Sequence, residues 1–95
     1  MKVVYNADYG GFCLYGKALE RYCELTDTPV PEFPLYGEEV KRWDPALVQV
    51  VEEKGPDLGV LEIEEVPPGN LWRIDEYDGL ERVMLQSDYV WNMSY

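Results

Sequence analysis

The stretch LWRIDEYDGLERVML (residues 71–85) decides the fold, because its local chemistry alone predicts a β-hairpin. Asp78 and Gly79 suit a two-residue type I′ turn, in which both central residues take a positive φ. This turn pairs Tyr77 with Leu80 and fixes the register of both strands. The same register sets Trp72 opposite Leu85, Ile74 opposite Val83, Asp75 opposite Arg82 and Glu76 opposite Glu81. Because an apolar face and an ion pair emerge together, with one unfavourable like-charge pair, we expect an antiparallel hairpin.

Two further segments are predicted as strands. In residues 59–66, GVLEIEEV, the alternation places Leu61 and Ile63 on one face, and the breaker PPGN at 67–70 ends the strand. Residues 2–6, KVVYN, combine β-branched and aromatic side chains and end at an asparagine. The chain is therefore expected to begin with one strand and to end in a sheet.

The middle of the chain is predicted to be helical in two places. The first helix runs from Leu14 to Thr26, where the apolar residues recur with helical spacing. Its apolar stripe consists of Tyr15, Ala18, Leu19, Tyr22 and Cys23. Residues 27–41 follow with three closely spaced prolines and are predicted to be an extended connector.

The second helix is the clearest local signal and is predicted over residues 44–54. Asp44 suits the N-cap, where its carboxylate accepts from a free backbone N–H group. Pro45 suits the first helical position, where its missing donor is harmless. Gly55 suits the left-handed position that ends a helix, and Pro56 prevents continuation.

These elements predict a single α+β domain over residues 1–95, in the order β-α-α-β-β-β. The tail SDYVWNMSY (residues 87–95) alternates as a strand would, so an extra C-terminal strand can follow. Its aromatic-rich side consists of Tyr89, Trp91, Met93 and Tyr95. This side either covers the core of its own chain or forms an interface with a second copy in a homo-oligomer, because large exposed apolar patches are rare on monomers.

The charge balance restricts the partners. The formal net charge is −11 and the isoelectric point is about 4.2. Direct nucleic-acid binding is not expected, since phosphates require a basic patch, and an anionic membrane is disfavoured for the same reason. No apolar run is long enough to span a bilayer and no secretion signal is evident, so we expect a cytoplasmic protein. The acidic surface either keeps the protein soluble or meets a basic surface on a partner.

The side-chain inventory argues against catalysis. The chain has no histidine, which removes the commonest general base and metal ligand. Cys13 and Cys23 are the only cysteines and are expected to be ordinary thiols. We therefore predict no enzymatic activity, no metal and no cofactor.

The segment YGGF (residues 9–12) is the best candidate for a binding site. A glycine pair between a strand and a helix allows either a tight turn with positive φ or a loop whose backbone N–H groups hold an anion. A second loop, Arg42-Trp43, precedes the other helix and could lie at the same end of the domain. The pocket would then have aromatic walls and one cation, and its candidate residues are Asn6, Tyr9, Gly10, Gly11, Phe12, Arg42, Trp43 and Asp44.

Three blocks of the chain resemble a family of small, largely uncharacterised proteins of phages, prophages and bacteria. The family pattern K-V-V-x-N-x-x-Y-G-G-F matches from Lys2 to Phe12, and R-x-D-P-x-L-V-x-V-V-E-E matches from Arg42 to Glu53. The third pattern, W-x-I-x-E-Y-D-G, matches from Trp72 to Gly79. One departure is Tyr15, which stands where the family has a serine suited to capping a helix.

The resemblance implies an accessory protein of phage type, acting in the cytoplasm of an infected or lysogenic host. Such a protein would inhibit host defence by binding a host protein. The alternative is an oligomeric sponge that sequesters a nucleotide-like immune signal in the pocket between the YGGF loop and the RWDP helix start.

Overall fold

The structure, a computed structural model, describes residues 1–85. This part of the chain is an α+β assembly of two helices and six short strands, which confirms the predicted class and the order of the main elements. The strands are β1 (Lys2–Asn6), β2 (Cys13–Leu14), β3 (Leu35–Tyr36), β4 (Leu61–Glu65), β5 (Trp72–Tyr77) and β6 (Leu80–Leu85). The helices are α1 (Gly16–Thr26) and α2 (Pro45–Glu53). The interface predicted for the tail, at Tyr89, Trp91, Met93 and Tyr95, lies outside the described residues.

The hairpin of β5 and β6 has the register that the turn chemistry predicts. Tyr77 pairs with Leu80, and each of the other predicted pairs is in register. The ion pair expected between Asp75 and Arg82 is different, however, because the Asp75 carboxylate lies 3.1 Å from Arg73 Nε. Asp78 and Gly79 have φ values of 55° and 89°, as a type I′ turn requires. The unfavourable pair is relieved at one end, because the Glu76 carboxylate accepts from the N–H of Gly79 at 3.0 Å.

The strand predicted at residues 59–66 is β4, and it pairs with the N-terminal strand rather than with the hairpin. β1 and β4 are antiparallel, with Val3 opposite Glu64 and Tyr5 opposite Glu62. Roughly 60 residues separate these strands in sequence. Their pairing is therefore a long-range contact that short sequence patterns do not encode. The hairpin instead lies against β1 through β6.

Helix α1 begins two residues later than predicted. Cys13 and Leu14 form the short strand β2, which pairs with Leu35 and Tyr36 of the connector. The N-cap position falls on Tyr15, whose side chain makes no capping bond and is exposed rather than on the buried stripe. The missing cap comes from elsewhere in the chain.

The cap of α1 is supplied by Asp57, forty residues away in sequence. Its Oδ2 accepts from the backbone N–H of Lys17 at 2.7 Å. Gly16 allows this approach, because a Cβ there would clash with the Asp57 carboxylate. The loop after α2 thus fixes the start of α1.

Helix α2 follows the prediction at its start and differs at its end. The Asp44 carboxylate accepts from the N–H of Ala46 at 2.9 Å, and Pro45 occupies the first turn. The left-handed residue at the C-terminus is Lys54, with φ 52°, and not Gly55 as predicted. The helix therefore stops one residue early, where the Lys54 N–H donates to the carbonyl of Val51.

The core lies between the two helices and the inner face of the β1–β4 sheet. It comprises Val4, Phe12, Leu14, Ala18, Leu19, Cys23, Leu47, Val48, Val50, Val51 and Leu61. A hydrogen bond of 3.0 Å from the Tyr22 hydroxyl to Asp44 Oδ2 joins α1 to the start of α2. Burial, reinforced by this bond to a carboxylate, raises the pKa of Tyr22 to about 12.

Asp44 thus caps α2 and also accepts a hydrogen bond from Tyr22 of α1. Replacement of Asp44 should therefore destabilise the attachment of both helices. We expect Asp44→Ala to lower the free energy of unfolding by about 1–2 kcal/mol, the upper part of the range for a lost N-cap. Asp44→Asn is the control, because it keeps a capping oxygen. Urea denaturation measures both, and equal stability of the alanine and asparagine variants would contradict the capping role.

Candidate functional site

Arg42, the cation of the hypothesised pocket, is buried in an ion pair. Its Nη1 donates to Glu81 Oε1 at 2.7 Å, and its Nη2 donates to Glu81 Oε2 at 2.8 Å. Arg42 is only 8% exposed and Glu81 only 7%. The two parallel bonds give the fork-to-fork geometry that makes arginine–carboxylate pairs strong.

Two neighbours shape the space around the Arg42 guanidinium. Its Cζ lies 3.9 Å from the centroid of the Phe12 ring, a cation–π arrangement. On another side lies Gly37, where any Cβ would clash with Arg42 Nη2. The guanidinium therefore fills a slot that an aromatic ring and a glycine backbone define.

The ion pair also closes one edge of β1. The N–H of Val4 donates to the Arg42 carbonyl at 2.8 Å, and Arg42 Nη1 contacts the Val4 carbonyl at 3.4 Å. The N–H of Asn6 donates to Glu81 Oε1 at 2.9 Å. Along this edge, an arginine and a glutamate take the place of a neighbouring strand, so buried backbone groups are satisfied without one.

The YGGF loop packs against the tip of the hairpin. Gly10 and Gly11 have φ values of 106° and 87°, the positive φ that the tight-turn alternative requires. A Cβ on Gly79 would clash with the backbone nitrogens of both glycines, and the Gly10 N–H contacts the Asp78 carbonyl at 3.4 Å. Gly79 therefore permits a backbone-to-backbone contact that a larger residue at this position would prevent, while Gly10 and Gly11 supply the positive φ of the loop.

Asn6 fixes this contact from the side. Its Nδ2 donates to the Asp8 carbonyl at 2.6 Å and to the Gly79 carbonyl at 2.9 Å. The side chain is buried, so its amide is used within the fold. We call the assembly of Asn6, Gly10, Gly11, Arg42, Gly79 and Glu81 the hairpin joint.

The aromatic residues of the hypothesised pocket go to separate places. Tyr9 is 61% exposed, whereas Phe12 is buried beneath Arg42. Trp43 is 45% exposed and meets Trp72 edge to face, with ring centroids 5.6 Å apart. Asp44 serves the helix N-terminus, as described above. The structure thus brings together Asn6, the glycines, Phe12 and Arg42, and it directs Tyr9 and Trp43 elsewhere.

Glu81 is the residue of this site that the sequence reading missed. In the sequence, Glu81 is notable only as the unfavourable cross-strand partner of Glu76. That like-charge pair is the sequence signal that points to a special role for Glu81. A carboxylate that disturbs an otherwise consistent hairpin is a candidate for a buried partner elsewhere. The sequence did not identify Arg42 as that partner, because 39 residues separate the two.

The Cys13 thiol is not activated by its surroundings. Burial raises the pKa of Cys13, which reduces the fraction of nucleophilic thiolate. Cys23 is buried in the core. Within residues 1–85, no cluster of three or more acidic or cysteine side chains is arranged to hold a metal ion.

A second candidate site is the acidic surface of β4. Glu62, Glu64 and Glu65 are all exposed, whereas Leu61 and Ile63 turn toward the core as predicted. The Tyr5 hydroxyl donates to Glu62 Oε2 at 3.2 Å. Burial, together with the charge of Glu62, raises the pKa of Tyr5 above its ordinary value.

Comparison with protein-family models, with curated proteins and with solved structures finds no match for this chain. Neither of the two helices within residues 1–85 combines the length and apolarity needed to cross a membrane. The functional proposal therefore rests on the geometry of residues 1–85.

The buried ion pair should behave differently from a surface pair when one partner is removed. We expect Arg42→Met to lower the free energy of unfolding by about 3–5 kcal/mol, because Glu81 would remain buried and uncompensated. The double variant Arg42→Met/Glu81→Met should recover much of that loss, since no charge is left unpaired. Urea denaturation of these two variants and of Glu81→Met gives the coupling energy between the two residues.

The surface pair of Lys2 and Glu52, 2.6 Å apart, provides the control for this cycle. We expect Lys2→Met to lower the free energy of unfolding by less than about 1 kcal/mol, since exposed ion pairs contribute little. A double variant at Arg42 and Glu81 that is no more stable than Arg42→Met alone would contradict the assignment.

The close contact at Gly79 can be separated from its positive φ. Gly69 has a similar φ of 82°, but a Cβ there would meet nothing within 4 Å. Gly69→Ala should therefore report the conformational strain alone, about 1–2 kcal/mol. We expect Gly79→Ala to destabilise the protein by more than this and to accelerate amide hydrogen exchange in β5 and β6. Equal effects of the two substitutions would show that the YGGF contact is dispensable.

Proposed function

We propose that this chain is a non-enzymatic, phage-type accessory protein that inhibits a host-defence protein by binding a basic surface on it. The observation that carries the proposal is the distribution of charge. Among residues 1–85, Glu81 is the only buried acidic residue, and the net charge of the chain is −11. The acidic excess is therefore displayed at the surface, where it attracts a basic partner and accelerates encounter.

The cations of the described chain do little to offset this excess. Arg21 is bound to Glu53 at 2.9 Å, and Lys2 is bound to Glu52 at 2.6 Å. The Glu64 carboxylate, by contrast, makes no side-chain hydrogen bond or ion pair within residues 1–85, although its backbone pairs with Val3. On the same strand, Glu62 accepts from the Tyr5 hydroxyl and Glu65 lies 3.6 Å from the N-terminal ammonium, but all three glutamates are exposed. We place the partner-binding face on this exposed row of carboxylates.

The alternative, an oligomeric sponge for a nucleotide-like signal, finds less support. It needs a free cation beside the YGGF loop, and Arg42 is held by both carboxylate oxygens of Glu81. The glycine loop itself packs on the hairpin tip. Protein capture requires neither group, so the geometry favours it.

Charge variants test the proposal in cells. The double substitution Glu62→Gln/Glu64→Gln should reduce inhibition of the defence system and weaken partner capture about tenfold, since each desolvated surface charge contributes up to about 1 kcal/mol. Glu32→Gln/Glu38→Gln is the matched control, because it removes the same charge from exposed positions on the connector. Phage plating on a defence-carrying host, with and without the expressed chain, measures inhibition.

Salt and mass spectrometry complete the test. Capture should weaken strongly between about 0.05 M and about 0.5 M salt, because screening shortens the reach of exposed charges. Native mass spectrometry of the chain purified from defence-active cells should show a protein partner. A retained nucleotide on a homo-oligomer, or equal inhibition by both charge variants, would overturn the proposal.

A further inference from the structure

We infer that the open edge of β4 accepts an extended basic segment of the partner as an added β-strand. This inference rests on the proposed function and specifies the kind of segment that is captured. It starts from the pairing of the β1–β4 sheet, which has two strands within residues 1–85. A two-stranded sheet has two outer edges, and these two differ.

The outer edge of β1 is closed. Val4 and Asn6 direct their N–H groups to it, and the Arg42 carbonyl and the Glu81 carboxylate accept them. The outer edge of β4 has no such cover within residues 1–85. As far as residues 1–85 are concerned, the outer edge of β4 is therefore the edge of this sheet that can accept an added strand.

The backbone groups that face the open edge can be identified. The N–H of Ala7 donates to the Val60 carbonyl at 3.0 Å, and the N–H of Val66 donates to the Met1 carbonyl at 2.7 Å. Hydrogen-bonded positions alternate along an antiparallel pair, so Ile63 and Glu65 turn their backbone groups away from β1. The Leu61 N–H on that edge already donates to the Leu58 carbonyl. Within residues 1–85, no partner occupies the outward backbone groups of Ile63 and Glu65, so these two residues offer donors and acceptors to an added strand.

The side chains beside this edge specify the occupant. Glu62 and Glu64 lie on one face, where alternate residues of an added strand would stand beside them. Ile63 is partly buried against the core on the other face. An extended segment that alternates lysine or arginine with apolar residues matches both faces. Its length should be about five residues, since β4 spans Leu61–Glu65.

The same charges exclude a second copy of this chain. Pairing of two β4 edges would bring glutamates of one copy against those of the other, and facing like charges destabilise a sheet. Proteins commonly protect an edge strand with charge, which here has a single sign. The edge therefore rejects acidic strands, including its own, and admits basic ones.

A synthetic peptide of about nine residues that alternates lysine and valine tests the inference. Its control has the same sequence and charge, but carries N-methyl groups on alternate residues, so that one edge of the peptide cannot donate hydrogen bonds. We expect the control to bind about tenfold more weakly by calorimetry, since two or more backbone bonds are lost. The unmethylated peptide should also slow amide hydrogen exchange at Ile63 and Glu65.

The charge variants provide the second arm. Glu62→Gln/Glu64→Gln should weaken peptide binding about tenfold, and Glu32→Gln/Glu38→Gln by less than about threefold. Equal binding of the methylated and unmethylated peptides, without protection at Ile63 and Glu65, would overturn strand addition and leave electrostatic capture standing. Failure of both peptides to bind, even at low salt, would count against the proposed function as well.

Discussion

The ion pair between Arg42 and Glu81 is the interaction on which the rest of the structure depends. It joins the start of α2 to the second strand of the hairpin, and its atoms also satisfy the backbone of Val4 and Asn6 on β1. Three parts of the chain that are distant in sequence meet at these two side chains. Because burial of one charge without the other is costly, the helix start, the hairpin and the first strand form this contact together or not at all.

The glycines explain why this contact can form. Gly37 leaves room for the Arg42 guanidinium, and Gly79 lets the hairpin tip reach the backbone of Gly10 and Gly11. The segments 2–12, 42–53 and 72–79 thus each contribute to the hairpin joint, which Glu81 completes. The backbone amides of the YGGF loop suggested an anion site, but the Asp78–Gly79 turn of the same chain packs against this loop. The YGGF loop therefore positions the hairpin in the described structure.

The joint also separates the two roles of acidic residues in this protein. Glu81 is buried with its arginine and serves the fold, whereas the glutamates of β4 remain exposed and are available to a partner. The backbone shows the same difference within residues 1–85: the outer edge of β1 is satisfied by Arg42 and Glu81, whereas the outer edge of β4 is not covered. In the proposed binding mode, the partner adds to the β4 edge, which no other strand of residues 1–85 covers, and the negative charge there favours a basic occupant over a second copy of the chain.

The sequence by itself determined the features that depend on neighbouring residues. The hairpin register follows from the Asp78–Gly79 turn, and the start of α2 follows from Asp44 and Pro45, because caps and turns are formed within a few residues. Only the tertiary structure decided the pairing of β1 with β4, the capping of α1 by Asp57 and the burial of Arg42 with Glu81. Each of these joins residues about forty or more apart, and the pattern of a short segment carries no information about which distant group will satisfy a buried charge or a free N–H.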